Sequence, residues 1–149
     1  MQTTLKPIES FSTPSPGSQL CGVLSDHIDA CWPEVRPWIE IGLEYSDNKY
    51  STHSIYRSLK NKDMQLWVSV NDDVEAVCVT QIDCHPNKKT CLIFLVAGRN
   101  MDNWIHFSNV IETWAKSQGC QSIECYGRPG WEKITGWEKI HVVLRKHIT

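Results

Sequence analysis

The stretch Thr90–Ala97 constrains this chain most. It is apolar at Cys91, Leu92, Ile93, Phe94, Leu95 and Val96, and it lies between two turn clusters. These are His85-Pro86-Asn87-Lys88-Lys89 before it and Gly98-Arg99-Asn100 after it. A run this short with apolar residues on both faces predicts a central strand covered from both sides. Two further strand patterns precede it. Gln65–Val70 carries Leu66, Trp67, Val68 and Val70, and Val74–Asp83 carries Val77, Val79 and Ile82. Asn71-Asp72-Asp73 separates them, so the three segments predict an antiparallel meander.

Helical spacing surrounds this meander. Leu20, Val23, Leu24, His27, Ile28 and Cys31 recur at three and four, predicting a helix over 19–31. Pro33 suits the first turn of a second helix, which Val35, Trp38, Ile39, Gly42 and Leu43 would continue. Ser51 or Thr52 can cap a third helix with Ile55, Tyr56 and Leu59 inside, closed by Asn61-Lys62-Asp63. Trp104, Phe107, Ile111, Trp114 and Ala115 mark the longest clear helical stripe, which Gly119 stops. A strand at Gln121–Tyr126, one helical turn at Trp131–Thr135 and a final strand at Lys139–His147 complete the pattern. Residues 7–18 hold Pro7, Pro14, Pro16 and Gly17 and read as an arm, leaving 19–149 as one domain. A short strand at Thr3–Glu9 is also expected.

Composition narrows the function classes. The 149 residues are 41% apolar and 21% charged, a globular balance. No apolar run reaches the roughly 18 residues of a membrane span, and the N-terminus lacks a basic-then-apolar leader. Seven cysteines, an odd number without a C-x-x-C pair, argue against a disulfide framework or zinc knuckle and for a reduced intracellular setting. A net charge of −2 predicts no global electrostatic grip on nucleic acid. Residues 1–48 hold 7 acids and 2 bases, and residues 49–149 hold 10 acids and 13 bases. Half of the 14 aromatic residues are Trp: 7 Trp, beside 4 Tyr and 3 Phe.

Helices, three antiparallel strands, a long helix, a strand, a short helix and a strand resemble the GNAT fold of N-acetyltransferases. The fold expected is α/β, a mixed and mainly antiparallel sheet flanked by helices. The resemblance is strongest from Gln65 to Lys146. Within it, the chain looks like short GNAT-like proteins of tailed bacteriophages. The residues that carry this are Leu66-Trp67-Val68, Ala97-Gly98-Arg99 leading to Trp104, Glu112-Thr113-Trp114-Ala115-Lys116 with Gly119-Cys120, and Gly127-Arg128-Pro129-Gly130-Trp131.

In active GNAT members the strand before the long helix splays from its neighbour and pairs with the pantetheine arm of acyl-CoA. That strand and the loop after it would here supply Leu95, Val96, Ala97, Gly98, Arg99 and Asn100. The family's loop signature is Gln/Arg-x-x-Gly-x-Gly/Ala, whose backbone N–H groups hold pyrophosphate. Read from Ala97, this chain has Asn100 and Asp102 where the glycines belong. A carboxylate at Asp102 would repel pyrophosphate, and the same side chain suits a helix cap. The resemblance makes Tyr126 the nearest candidate for the family's proton-donating tyrosine. Glu124, His85 and His106 are available as bases by residue type only.

Two functions follow from the resemblance, and the departure from the loop signature favours the first, with the second as its alternative. One is a catalytically silent phage protein acting in virion assembly or as an internal virion component, in the host cytoplasm or the virion. Its partners would be other phage proteins, an oligomer is possible, and Arg128, Trp131 and Trp137 are the candidate interface residues. The other is an acyl-CoA-dependent N-acetyltransferase with acetyl-CoA as its acyl donor. Cys84-His85 with Cys91 lacks zinc-site spacing, and no flanking pattern marks a cysteine nucleophile.

Overall fold

The computed structural model describes residues 6–7, 18–99, 108–127 and 130–149. Six strands form one sheet in the order β1-β2-β3-β4-β5-β6. They are β1 (Lys6–Pro7), β2 (Gln19–Val23), β3 (Gln65–Asn71), β4 (Asp73–Cys84), β5 (Lys89–Gly98) and β6 (Ser122–Cys125). Every neighbouring pair is antiparallel except β5 and β6, which are parallel. The helices are α1 (Ile28–Leu43), α2 (Thr52–Lys60), α3 (Ser108–Ser117) and α4 (Trp131–Thr135).

The expected meander is β3–β4–β5. Its first turn is tight, with Asp72 at φ 65° between Asn71 and its partner Asp73. Its second is closed by His85 N–H donating to the Lys88 carbonyl at 2.8 Å. Alternation along the strands sends side chains to two cores. Leu66, Val68, Val77, Val79, Leu95 and Ala97 pack with Val35 and Ile39 of α1 and Ile55 and Leu59 of α2. Trp67, Ala76, Cys78 and Cys91 pack with Val110, Ile111 and Ala115 of α3 on the other face. The strand predicted to be covered on both sides, β5, feeds both cores.

Two helical expectations need correction at the N-terminal end. Gln19–Val23 is a strand, paired with β3 from Gln19↔Val70 to Val23↔Leu66. Its apolar residues satisfy both periods. Leu20 enters the α3-side core and Val23 the α1-side core, as a strand's alternation allows. The free edge of β3 decides between the two readings, because tertiary pairing overrides local propensity. The short strand expected at Thr3–Glu9 is present at Lys6–Pro7, where Lys6 faces Gly22 and Pro7 faces Cys21.

The second correction concerns α1, a single helix that runs through both Pro33 and Pro37. Each proline in a helix interior costs about 3 kcal/mol. Both lie on the exposed face, where water can serve the carbonyls left without a donor. The opposite face buries Ile28, Val35 and Ile39, each contributing about 1.5–3 kcal/mol. Burial of that face offsets the prolines.

The α2 expectation holds in detail. Ser51 is the cap, its Oγ accepting from Ser54 N–H at 3.1 Å while Ser54 Oγ accepts from Ser51 N–H at 2.9 Å. Across to α1, Asp29 accepts from the Tyr56 hydroxyl and, at 2.8 Å, from Lys60 Nζ. These two contacts, Lys60 first, hold the Asp29 carboxyl below its ordinary range.

Strand β6 and the short α4, stopped by Gly136 at φ 72°, match the sequence reading. The final strand expected at Lys139–His147 does not form. Residues 138–149 are exposed and belong to no strand. The segment instead runs past the end of α1, where Arg145 pairs with Asp47. The start of the α3 stripe, including Trp104, Phe107 and the capping candidates Asn100 and Asp102, lies outside the described residues.

Candidate functional site

The site is built where a register fault on one side of β5 adjoins the end of a strand pairing on the other. Along β4 and β5, Val79 faces Leu95 while Thr80 faces Ile93, so Phe94 has no partner on β4. This is a β-bulge, which bends its strand and increases the local twist. The β5–β6 pairing ends at the same place. It runs Thr90↔Ser122, Cys91↔Ile123, Leu92↔Glu124 and Ile93↔Cys125, and goes no further. Beyond this fork, Leu95–Gly98 stays paired with β4 only, among the described residues. One edge of that stretch therefore presents backbone N–H and C=O groups to whatever enters the fork.

Side chains fix the fork from both faces. Leu95 and Ala97 are buried in the α1-side core, and Val96 packs toward α3. Contacts from these three to a ligand would therefore be made by the backbone. Gly42 of α1 lies against β5 so closely that a Cβ there would stand 2.6 Å from Leu95 Cγ. Gly98 has a packing role as well: its Cβ would meet Ala76 Cβ at 2.4 Å. The glycine permits β4 and β5 to approach at the end of the sheet.

Arg99 leaves the sheet with its side chain exposed. Its backbone N–H donates to the Glu75 carbonyl at 2.9 Å, so only its guanidinium remains for an anion. Glu75 itself is 1% exposed, and one carboxylate oxygen accepts from Ser18 Oγ at 3.1 Å and Ser69 Oγ at 2.9 Å. A second register fault, between Ser69 and Val70, places Glu75 there. This buried cluster anchors the point where the chain departs for residues 100–107. The sequence analysis did not single out Glu75, whose two hydroxyl partners come from distant or adjacent strands.

Tyr126 follows the last paired residue of β6 and is 73% exposed, at the fork's mouth. Glu124 is half-buried one residue before the last β6 pair. His85 lies in the β4–β5 turn, at the other end of β5 from the bulge. Trp131 and Trp137 are half-buried at either end of α4, and Gly127 brings the chain against Trp131. Asn100, His106 and Arg128 lie outside the described residues.

Cysteine chemistry is disfavoured by burial. The Cys91 thiol is pushed up to about 12 and Cys31 to about 11, chiefly by desolvation. Cys78 and Cys125 are raised for the same reason. A thiol held protonated is a poor nucleophile and a poor metal ligand. Among the described residues no group of three His, Cys, Asp or Glu side chains converges as a metal site.

The sheet order, the bulge and the fork define the GNAT acetyltransferase fold. Solved structures share it. An aminoglycoside acetyltransferase from an uncultured soil metagenomic sample, in complex with sisomicin, superposes with TM-score 0.67 at 7% identity, over 89% of this chain and 96% of that one. An aminoglycoside N-acetyltransferase in complex with CoA gives TM-score 0.63 at 7% identity, over 95% and 99%. The ribosomal-protein-alanine N-acetyltransferase of Brucella melitensis gives 0.59 at 7% identity, over 89% and 97%. No family model and no curated protein matches the chain. Among the described residues no helix is long and apolar enough to cross a membrane.

Proposed function

We propose that this chain is an acyl-CoA-dependent N-acyltransferase acting on an amine. The observation that carries the reading is the coincidence at Phe94: the bulge against β4 falls where β6 leaves β5. An open strand edge with its side chains locked in two cores suits an extended ligand that carries its own amides, as pantetheine does. Bound acyl-CoA would supply an acyl group activated as a thioester.

The chain's own groups have defined tasks in this reading. The backbone of Leu95, Val96, Ala97 and Gly98 would orient the extended ligand arm. The Arg99 guanidinium is the described cation nearest the start of the following loop. Tyr126 Oη would hold a proton at the fork's mouth and deliver it to a departing thiolate. A half-buried carboxylate at Glu124, beside the last paired residues, is the acid–base group on the opposite arm of the fork.

A second reading is a catalytically silent GNAT-fold protein of bacteriophages, acting through contacts in virion assembly. Asn100 and Asp102, standing where the loop signature has glycines, favour it. Its phage setting rests on the sequence resemblance alone. Isothermal calorimetry with acetyl-CoA separates the two. Micromolar binding by the wild type is expected, with Tyr126→Phe binding equally well but losing about 10²–10⁴-fold in turnover of an accepted amine. No binding by either the wild type or Asp102→Gly would overturn the enzyme reading.

A further inference from the structure

On the α1 side of the sheet, the face that is core at Val79 turns polar on the far side of the bulge. Ile93, Cys91 and Ile123 point into the α3-side core, so alternation turns their neighbours the other way. On β4 these are Gln81 and Asp83, on β5 Leu92 and Thr90, and on β6 Glu124 and Ser122. Register stacks them in two rows across three strands. Gln81, Leu92 and Glu124 form the row beside the fork, and Asp83, Thr90 and Ser122 form the next.

Two features of the second row point to a ligand. The first is a pair of orphaned hydroxyls. Thr90 is 2% exposed, and its Oγ1 and the Oγ of Ser122 are buried with no hydrogen-bond partner among the described residues. Folded proteins seldom leave such groups unpaired, because their lost hydration is not replaced. The second feature is uncompensated charge. The two rows hold two acids, Asp83 and Glu124, and no base. Among the described residues neither carboxylate takes part in an ion pair. Gln81 Nε2 donates to Asp83 Oδ1 at 2.7 Å, which orients the carboxylate and leaves Oδ2 for another donor.

Oxygen acceptors beside unpaired negative charge suit a cation that brings its own N–H groups. A primary ammonium has three donors and no acceptor. Thr90 Oγ1, Ser122 Oγ and Asp83 Oδ2 match those donors one for one. Glu124 stands one row nearer the fork, two residues along the strand, a step of about 7 Å. Leu92, 6% exposed, lies between the rows and gives methylene groups an apolar floor.

We propose that Asp83, Thr90 and Ser122 bind the second ammonium of a diamine whose first nitrogen lies at Glu124, beside the fork. The acceptor class is then an α,ω-diamine with nitrogens about 7 Å apart, the length of one strand step. Only the fate of the first nitrogen rests on the acyltransferase reading; binding of the second does not.

Calorimetric titration of the full chain with 1,4-diaminobutane and with n-butylamine, each with and without saturating coenzyme A, tests this. The diamine is expected to bind about tenfold more tightly than the monoamine, or better. Thr90→Val keeps the branched shape and removes the hydroxyl. It should weaken diamine binding by about tenfold while raising the thermal midpoint, because an unpaired buried hydroxyl is gone. A hydroxyl with a purely structural role would do the reverse, lowering the midpoint and leaving affinity alone. Asp83→Asn should weaken the diamine as well. Equal affinity for the two amines, diamine binding that ignores both substitutions, or no diamine binding with or without coenzyme A would overturn the proposal. Coenzyme A binding without diamine binding leaves the acyltransferase reading standing. Diamine binding without coenzyme A binding counts against that reading and supports the ammonium site.

Discussion

The ring of Tyr50 meets that of Phe94 edge-on, with centroids 4.6 Å apart and planes at 81°. Phe94 is the residue that β4 leaves unmatched, and Tyr50 belongs to the connection between α1 and α2. The helical layer thus braces the bulge from which the fork opens. Such a pair contributes about 0.5–1.5 kcal/mol beyond its buried area. A double-mutant cycle of Tyr50→Ala and Phe94→Ala, read by urea unfolding, should return a coupling energy in that range. Phe94→Ala should also weaken acetyl-CoA binding more than Tyr50→Ala does. Equal effects on binding would mean that the bulge does not shape the fork.

Gly98→Ala should destabilise the protein by about 1–3 kcal/mol, the usual range for overpacking. The new methyl would collide with the Ala76 Cβ and lie 2.8 Å from its Cα, neither of which can swing aside. Pairing the change with Ala76→Gly should recover only part of the loss, because the residue-76 Cα at 2.8 Å and the Glu75 carbonyl oxygen at 2.9 Å remain. Chemical denaturation of the three variants checks it, and full recovery would show that the Cβ–Cβ contact alone sets the cost.

The buried thiols make the fold sensitive to alkali. Their folded pKa values are raised, so unfolded chains ionise first. The thiol contribution is fully present below about pH 8.5, the ordinary thiol value. It is lost as pH rises toward about 11 for Cys31 and about 12 for Cys91. Urea midpoints should therefore fall steadily from pH 8 to pH 10.5. At pH 8, iodoacetamide should modify the exposed Cys84 first and leave Cys31, Cys78 and Cys91 untouched until the chain unfolds. Mass spectrometry of partial digests reads the order directly.

The Asp29 cluster acts in the opposite direction on the acid side. Its depressed carboxyl contributes stability above the ordinary Asp value near 3.9, lost as pH falls through the lower folded value. Lys60 and Tyr56 are raised, chiefly by the same Asp29, so their share is lost as pH rises through their folded values. Asp29→Asn should flatten the acid limb of a stability–pH curve while changing the midpoint at pH 7 only slightly, since the cluster is solvent-exposed. A large loss at pH 7 would mean that the three groups act as a buried network.

The meander was legible because Leu66-Trp67-Val68 and Cys91–Val96 are short apolar runs, too short for buried helices, and acidic or Pro-containing turns punctuate them. The α2 cap was legible for the same local reason: Ser51 and Ser54 sit in reach of one another by spacing alone. Gln19–Val23 was misread because its apolar spacing fits a helix as well as a strand, and only the waiting edge of β3 decides. Lys139–His147 was misread for the converse reason, since a strand pattern does not show whether a neighbouring strand pairs with it. Of the candidate site, the strand was legible from its apolar run Cys91–Val96. The bulge at Phe94 was not, because a strand apolar on both faces gives no alternation against which an unpaired residue shows, and the burial of Glu75 rests on the Ser18 and Ser69 hydroxyls that only the fold brings near it.

The prolines of α1 bear on the order in which this molecule assembles. A segment that lacks two amide donors in 16 residues has almost no intrinsic helicity, so it cannot act as a nucleus in the unfolded chain. It becomes helical only against a surface that is already there. That surface is the β3–β4–β5 meander, whose turns close over short loops and whose contacts are local. The helix that shields one face thus depends for its conformation on the strands it covers, against which Gly42 lets it lie close to Leu95.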